Sequence, residues 1–182
     1  QYLLYKRVAE EASGRPVIIR TFDIGGDKPI PSISLPQEPN PFLGYRGIRI
    51  YQENYELFRH QVRAILRAAV FGQLRIMFPM VSLIEEVRWL KGKMAELAEE
   101  LKAEGLPFQD RIETGIMLEV PSVALLADKF AQEVDFFSVG SNDLIQYFFA
   151  ADRSNPKVRY LSQPLNPALL RLLKGAIEQA HE

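Results

Sequence analysis

Polar side chains that suit an anion or a metal ion follow four of the apolar runs in the chain. Arg20 follows VII, Arg46 follows FLGY, Glu119 follows IML, and the pair Asn142-Asp143 follows FFSVGS. Arginine donates two parallel hydrogen bonds to a phosphate or carboxylate, and Mg²⁺ prefers a few carboxylate ligands together with substrate oxygens. If these runs are strands whose carboxyl ends share one edge, the side chains predict a site for a phosphate-bearing ligand and Mg²⁺.

Most of these residues also have an ordinary structural interpretation. Arg20 is equally consistent with a strand-end charge paired with Asp23. Asn142 suits the N-cap of a following helix, and Asp143 suits the first turn, where a negative charge interacts favourably with the helix dipole. Glu119 differs because it follows a strongly apolar run and precedes a proline, so a buried carboxylate there requires a partner.

The other candidates for chemistry are weaker. The two histidines, His60 and His181, lie on predicted helix surfaces, far along the chain from these strand ends. Gly25-Gly26 by itself is weak evidence for a phosphate-binding loop. The sequence contains neither GxGxxG nor GxxxxGK[ST], so it supports neither a dinucleotide-binding fingerprint nor a P-loop.

Five segments that must position these residues are predicted to be strands. Four of them are nearly continuous apolar runs, which is typical of parallel strands covered on both faces, and the second is the weakest of the five. In chain order the segments are 16–22, 42–50, 74–80, 112–120 and 134–140.

Helix signals lie between the predicted strands. Ser82 and Glu85 have the spacing of a capping box, and Gly105 is positioned to end the helix that follows. Pro121 and Asn166-Pro167 are each positioned to open a helix. Residues 53–71 are also predicted to be helical, with an inward face made of Leu57, Val62, Ile65, Leu66 and Ala69.

This alternation of strands and helices favours a (β/α)₈ barrel, with a doubly wound open sheet as the alternative. A complete barrel needs about 250 residues, so the chain is predicted to hold only part of one. The irregular segment 23–41, which includes Asp27-Lys28, is predicted to be a functional loop because loops of this length are uncommon in compact domains. We find no internal domain boundary in the sequence.

The composition excludes several classes of function. With 22 basic and 23 acidic residues the net charge is −1, so there is no electrostatic case for nucleic-acid binding. The absence of cysteine excludes disulfides, thiolate metal sites and a catalytic thiol within these 182 residues. No apolar stretch approaches the roughly 20 residues of a membrane helix, and no signal peptide begins the chain, so we expect a cytoplasmic protein without membrane insertion. The helical patterns that open and close the sequence predict a piece of a longer polypeptide.

Taken together, the motifs resemble the phosphoenolpyruvate-utilising enzymes. The resemblance rests on RTFDIGGDK, NPFLGYRGIR, LRIMFPM, GIMLEVP and DFFSVGSNDLIQYFFAADR, and matching segments extend from Pro16 to about Pro164. The form RT-x-DIGGDK followed by NPFLG-x-R is similar to the Enzyme I family of the bacterial sugar phosphotransferase system. The dikinases and synthases that use phosphoenolpyruvate share the general plan but not these particular residues.

The resemblance implies a role for each matching position. Glu119 and Asp143 would hold Mg²⁺, which bridges the phosphate and carboxylate of phosphoenolpyruvate in the family. Arg20, Arg46 and Arg153 would bind phosphate oxygens. The phosphate would also receive hydrogen bonds from Asn142, with the backbone of residues 140–142 lining the pocket, whereas Lys28 belongs to the motif without a defined role.

The resemblance also implies an activity for the parent protein. It would transfer the phosphoryl group of phosphoenolpyruvate to a histidine on a separate N-terminal domain, yielding pyruvate, and that histidine would then pass the group to a small histidine-containing carrier protein. Residues 1–182 would form the phosphoenolpyruvate-binding barrel domain, incomplete at both ends and inactive by itself. A further arginine upstream, a proton-donating cysteine downstream and dimerisation through this domain are expected of the parent.

Two other functions remain as alternatives. The first is a pyruvate phosphate dikinase or phosphoenolpyruvate synthase, which an upstream nucleotide-binding domain would support. The second is a regulatory domain that senses phosphoenolpyruvate without turnover, which substitutions at the six matching site residues would support. All six are present: Arg20, Arg46, Glu119, Asn142, Asp143 and Arg153.

Overall fold

The structure, a computed structural model, describes residues 1–25 and 36–181. The chain forms two compact units. Unit 1 comprises Gln1–Met80 and Trp89–Thr114, and unit 2 comprises Val81–Arg88 and Gly115–Glu182. Within the described ranges, no helix combines the length and the apolar character that crossing a membrane requires.

Unit 1 contains two parallel strands and the helices that cover them. Strands β1 and β2 pair in register from Val17 with Leu74 to Arg20 with Met77. Short 3₁₀ helices span Pro41–Leu43, Gly47–Ile50 and Ala69–Phe71. The regular elements are α1 (Tyr2–Glu11), β1 (Val17–Arg20), α2 (Tyr55–Ala68), β2 (Leu74–Phe78) and α3 (Ile84–Ala103), of which α3 belongs to this unit from Trp89 onward.

Unit 2 repeats the pattern of parallel strands followed by helices. Strands β3 and β4 pair in register from Gly115 with Phe136 to Leu118 with Val139. A 3₁₀ turn spans Arg159–Leu161. The regular elements are β3 (Thr114–Leu118), α4 (Pro121–Leu125), α5 (Ala127–Ala131), β4 (Phe136–Val139), α6 (Ser141–Phe148) and α7 (Pro167–His181).

An aromatic cluster forms part of the core of unit 1. Phe58 on α2 is 1% exposed, and its ring lies 5.2 Å from Tyr51, 6.5 Å from Phe78 and 6.0 Å from Trp89, measured between ring centroids. Burial of several aromatic rings in one place is a large apolar contribution to folding. The cluster packs α2 and the second part of α3 against β2.

The structure confirms an α/β fold with parallel strands, and four of the five predicted strands are present. The prediction of a strand at 42–50 is wrong, because the chain there forms two 3₁₀ helices. Gly47, the first residue of the second 3₁₀ helix, has φ +58°, a conformation that interrupts an extended strand. The eight-stranded barrel itself remains a prediction.

Most predicted helix signals are confirmed. Gly105 has φ +68° at the end of α3, and Pro121 occupies the first turn of α4. Asn166 accepts a hydrogen bond from the Ala168 N–H at 3.0 Å, which opens α7. The capping carboxylate of α3 is Glu86 rather than Glu85: its Oε2 accepts hydrogen bonds from the main-chain N–H groups of residues 82 and 83 at 2.6 and 2.8 Å.

The buried faces of α2 and α3 agree closely with the predicted periodicity. Val62, Ile65, Leu66 and Ala69 are buried as predicted, but Phe58 takes the buried position at the start of the face and Leu57 is only half-buried. In α3 the apolar residues at helical spacing are all buried: Val87, Leu90, Met94, Leu97 and Leu101.

Candidate functional site

Hydrogen bonds hold the segment after β1 in unit 1 in place. The Thr21 N–H donates to the carbonyl of Met77 at 2.9 Å. The Tyr51 hydroxyl lies 2.5 Å from the carbonyl of Phe22 and 2.9 Å from Oγ1 of Thr21. Burial raises the pKa of Tyr51 far above its ordinary value, so this hydroxyl stays protonated and continues to donate. The main chain directly after Arg20 is therefore fixed.

Gln61 on α2 strengthens the same anchor. Its side-chain Oε1 accepts from the Phe22 N–H at 2.9 Å, and its Nε2 donates to the carbonyl of Arg20 at 3.3 Å and to the Tyr5 hydroxyl at 3.0 Å. Gln61 is 2% exposed, so these bonds replace water that it cannot reach. The residue thus holds the backbone on both sides of position 21.

A buried ion pair joins the end of this segment to the 3₁₀ region. Arg46 donates from Nη2 to Oδ2 of Asp23 at 2.8 Å and from Nε to Oδ1 at 3.3 Å. The side chains of Arg46 and Asp23 are 0% and 1% exposed. A two-point contact of this kind fixes the guanidinium plane as well as its charge.

Two glycines allow the backbone to approach this pair. A Cβ on Gly25 would come within 2.4 Å of the Tyr45 carbonyl oxygen and 2.8 Å of the Arg46 Cβ. A Cβ on Gly47 would lie 2.8 Å from the Cβ of Met80 and 3.4 Å from Oδ1 of Asp23. Both glycines have positive φ, so neither position readily accepts another residue.

Arg20 is placed differently from Arg46. Its Nη1 lies 3.9 Å from Oδ2 of Asp23, and its side chain is 40% exposed. The proposed ordinary pairing of Arg20 with Asp23 is therefore present at long range, while the short bonds of Asp23 go to Arg46. The Arg20 side chain is thus partly open to solvent, whereas that of Arg46 is not.

In unit 2, Glu119 comes directly after β3 and is 0% exposed. Its carboxylate lies against Gly140, the N-cap of α6: a Cβ added to Gly140 would come within 2.6 Å of Oε2 and 2.7 Å of the Cβ of Glu119. The glycine therefore makes room for this carboxylate beside the N-terminus of α6. The exposed N–H groups and the dipole of that helix end favour negative charge nearby.

Asp143 and Arg153 form an ion pair in the same unit. Asp143 lies in the first turn of α6 and is 8% exposed. Its Oδ2 is 3.6 Å from Nη1 of Arg153, whose side chain is 28% exposed. Asn142 is exposed and lies inside α6, whose N-cap is Gly140, so the interpretation of Asn142 as the N-cap is wrong.

The donors of unit 2 fit a magnesium ion. Glu119 and Asp143 are two buried carboxylates that both belong to the N-terminal end of α6, one against its N-cap and one in its first turn. Mg²⁺ typically takes one or two protein carboxylates and completes its octahedron with water and substrate oxygens. Within the described part of the chain, no group of three or more His, Cys, Asp or Glu side chains is placed to hold a metal.

The predicted site residues thus lie in two clusters. Arg20 and Arg46 belong to unit 1, and Glu119, Asn142, Asp143 and Arg153 belong to unit 2. Gly26 and Asp27-Lys28 lie outside the described residues. Both histidines are on exposed helix surfaces, and His60 lies 3.4 Å from Glu56 on the same helix.

Sequence reasoning missed three participants in these clusters: Asp23 as the partner of Arg46, and the glutamines Gln61 and Gln146. Gln146 is 5% exposed, and its Oε1 accepts from the Arg153 N–H at 2.9 Å. One signal was available for Gln61: it lies three residues after Phe58 and next to Val62, on the buried face of α2. For Gln146 the only signal was its i+3 spacing from Asp143.

The contact of Glu119 with Gly140 leads to a test of packing. We expect G140A to lower the free energy of unfolding by about 1–3 kcal/mol, because the added methyl group overlaps the Glu119 side chain close to its backbone. G175A is the matched control, since Gly175 lies in α7 with no atom near its added Cβ, and it should raise stability by about 0.5–1 kcal/mol through helix propensity. Urea unfolding of the 182-residue chain measures both. Equal stability of G140A and the wild type would contradict the close contact.

Comparison with protein families gives a match over the whole chain. Residues 1–182 match the family described as PEP-utilising enzyme, PEP-binding domain, where PEP is phosphoenolpyruvate. Proteins named phosphoenolpyruvate-protein phosphotransferase are 57% identical in Staphylococcus carnosus TM300, 56% in Streptococcus equinus and 53% in Bacillus subtilis 168. Each match covers 100% of this chain and 32% of the relative, so the chain spans about a third of the length of these proteins.

A solved structure shares part of the fold. A citrate lyase from Burkholderia xenovorans LB400 superposes with a TM-score of 0.50 over 68% of this chain and 37% of its own, at 18% sequence identity. At this identity the likeness concerns the fold alone.

Proposed function

We propose that this chain, which belongs to the phosphoenolpyruvate-binding domain family of the PEP-utilising enzymes, binds phosphoenolpyruvate and Mg²⁺ in an Enzyme I-type phosphotransferase. The full protein transfers the phosphoryl group to one of its own histidines and releases pyruvate. The observation that carries the proposal is the cluster in unit 2, where buried Glu119 and Asp143 lie at the N-terminal end of α6 and Asp143 pairs with Arg153. The names of relatives that are 53–57% identical over the whole chain support it.

Each residue has a role in this proposal that follows from its charge and exposure. Glu119 and Asp143 hold Mg²⁺, which when bound neutralises the phosphate and carboxylate charges of the substrate. Arg153 and Arg20, 28% and 40% exposed, donate to phosphate oxygens. Asn142, exposed in the first turn of α6, donates its amide to the same phosphate.

Arg46, which the motif assigns to phosphate binding, lies in a buried ion pair. It donates two hydrogen bonds to Asp23, and its side chain is 0% exposed. In the proposed mechanism Arg46 contributes positive potential to phosphate binding and, through Asp23, holds the 23–25 segment. Phosphoryl transfer relies on positioning and on stabilising oxygen charge, so a buried fixed cation contributes without direct contact.

The remaining parts of the proposal concern the full protein. We propose that its phosphohistidine passes the group to a histidine-containing carrier protein as the first step of sugar uptake by the phosphotransferase system. We also propose that it acts in the cytoplasm and dimerises through this domain, and that the domain is a (β/α)₈ barrel. The relatives named phosphoenolpyruvate-protein phosphotransferase favour this over a dikinase or synthase.

The proposal predicts that the 182-residue chain is inactive alone. Its two histidines lie on exposed helix surfaces, His60 within α2 and His181 at the end of α7, and neither belongs to a described cluster. We expect weak binding of phosphoenolpyruvate and no pyruvate release, measured by calorimetry and a coupled lactate dehydrogenase assay. The full-length protein with carrier protein is the positive control. Pyruvate formation by the 182-residue chain alone would contradict the proposal.

A further inference from the structure

Gln146 is a buried polar residue to which the proposed mechanism gives no role. It lies in α6, three residues after Asp143, and is 5% exposed. Residues at this spacing share one face of a helix, so Gln146 and Asp143 point to the same side of α6. A buried amide at such a position requires a structural or functional reason.

The reason lies in the turn that follows α6. The side-chain Oε1 of Gln146 accepts from the Arg153 N–H at 2.9 Å, and the main-chain carbonyl of Gln146 accepts from the Ala151 N–H at 3.0 Å. The donor at Arg153 is a backbone N–H, so only the amide oxygen can face it, and the orientation of the amide is determined. Both polar ends of one residue therefore hold the segment that carries Arg153.

This segment needs such an anchor. Ala150 has φ +50°, a left-handed conformation that is unfavourable for a residue with a side chain. Conformations of this kind persist only when the surrounding contacts enforce them. The two hydrogen bonds to Gln146 span the strained residue and set where the chain emerges at Arg153.

The other amide atom supports this interpretation. Nε2 of Gln146 is buried and has no hydrogen-bond partner among the described residues. A buried donor without a partner is destabilising, and an apolar residue at this position would avoid that cost. The presence of glutamine is then explained by its acceptor oxygen, the atom that bonds Arg153.

We propose that Gln146 is a positioning residue for Arg153. It fixes the backbone of Arg153 from one side while Asp143, on the same helix face, pairs with the guanidinium at 3.6 Å from the other. The guanidinium is thereby oriented toward the anionic substrate before that substrate binds. This inference rests on the proposed function, because it assumes that Arg153 binds the phosphate of phosphoenolpyruvate.

A double-mutant cycle in the full-length protein tests the inference. Q146L is close in volume and removes the acceptor, and R153Q removes the guanidinium. We expect Q146L to lower kcat/KM by about 10- to 100-fold, the range seen when a supporting hydrogen bond to a ligand-binding group is lost. In the R153Q background the same change should have no further effect, because Gln146 acts only through that guanidinium.

Two further readouts separate positioning from folding. The loss in Q146L should appear mainly as a higher KM, and as a higher dissociation constant for phosphoenolpyruvate in calorimetry, whereas a lower active fraction would reduce kcat alone. Q163L is the matched control, because the side-chain amide of Gln163 in unit 2 also bonds to the main chain, donating to the Tyr160 carbonyl at 3.0 Å, but is exposed. If Q146L does not fold, Q146N replaces it, since its shorter side chain withdraws the oxygen from Arg153 while keeping the buried amide.

The possible outcomes are distinct. Equal losses from Q146L in the wild-type and R153Q backgrounds would overturn the positioning role, as would wild-type kinetics of Q146L. A defective R153Q beside an unaffected Q146L would leave the proposed function standing and remove only this inference. Wild-type activity of R153Q would instead contradict the role of Arg153 in the proposed function, and the inference with it.

Discussion

We expect the replacement of Glu119 by glutamine or of Asp143 by asparagine to lower kcat/KM for phosphoenolpyruvate by about a hundredfold or more in the full-length protein. An effect of this size is typical when one preorganised electrostatic group is lost. Each variant also requires more Mg²⁺ for half-maximal activity. Both substitutions keep the size of the side chain and remove its charge. Because Glu119 and Asp143 are 0% and 8% exposed, water screens their charges only weakly, and removing either charge has a large effect.

The two variants should differ in one respect. Asp143 pairs with Arg153 at 3.6 Å, so D143N weakens a metal ligand and also removes the charge that pairs with this arginine. Glu119 lies against the N-cap of α6, and E119Q should affect Mg²⁺ binding with less change in the affinity for phosphoenolpyruvate measured without metal. We therefore expect D143N to show the larger rise in the phosphoenolpyruvate dissociation constant when Mg²⁺ is absent.

The measurement combines kinetics with direct binding. Steady-state rates across a Mg²⁺ titration give kcat/KM and the activation constant, and calorimetry with Mg²⁺ and phosphoenolpyruvate gives the binding constants without turnover. E178Q is the control, since Glu178 is an exposed carboxylate on α7 that pairs with the exposed Lys174 at 3.4 Å. Normal rates at normal Mg²⁺ concentrations in both E119Q and D143N would refute the metal assignment.

Continuous apolar runs made the strands predictable from sequence. The runs around Ile19, Ile76, Ile116 and Phe137 correspond to β1 to β4, with the ends placed up to two residues too far out. The parallel pairing was also predictable, because parallel strands require a crossover connection and a helix lies between each pair of successive strands. The residues directly after strands, Glu119 above all, could be located for the same reason.

The failure at 42–50 has an identifiable cause. Ile48 and Ile50 alternate with Arg49 as in a half-buried strand, but these residues form a 3₁₀ turn after Gly47, which has φ +58°. Alternation over so few residues does not distinguish the two structures, since a tight turn also buries every second or third side chain. The close approach of Met80 to Gly47, which leaves no room for a Cβ, is visible only in the tertiary structure.

The polar contacts were the least predictable part of the site. Asp23 is three residues from Arg20 and twenty-three from Arg46, yet its short hydrogen bonds go to Arg46. Sequence proximity favours the nearer partner, whereas burial selects the geometry with two well-formed bonds. A glutamine on an amphipathic helix is usually exposed, so neither Gln61 nor Gln146 carried a signal as strong as an apolar run.

The second large effect concerns stability rather than turnover. We expect D23L to lower the free energy of unfolding of the 182-residue chain by about 3–5 kcal/mol, because it leaves the buried guanidinium of Arg46 without the carboxylate that it contacts at 2.8 and 3.3 Å. A charge with 0% exposure cannot regain water without opening the segment around it. The loss should appear as a lower urea midpoint with an unchanged slope.

A double variant separates the missing charge partner from the altered packing. In D23L/R46M both charges are gone and two apolar side chains occupy the site, so most of the stability lost in D23L should return. E11L is the surface control, because Glu11 pairs with Arg7 at 2.7 Å while both side chains are mostly exposed, and its removal should leave the midpoint nearly unchanged. If D23L/R46M were as unstable as D23L, packing around Asp23 rather than the uncompensated charge of Arg46 would be the cause. Recovery in the double variant would instead show that Asp23 is needed chiefly to allow the charged guanidinium of Arg46 to lie buried there.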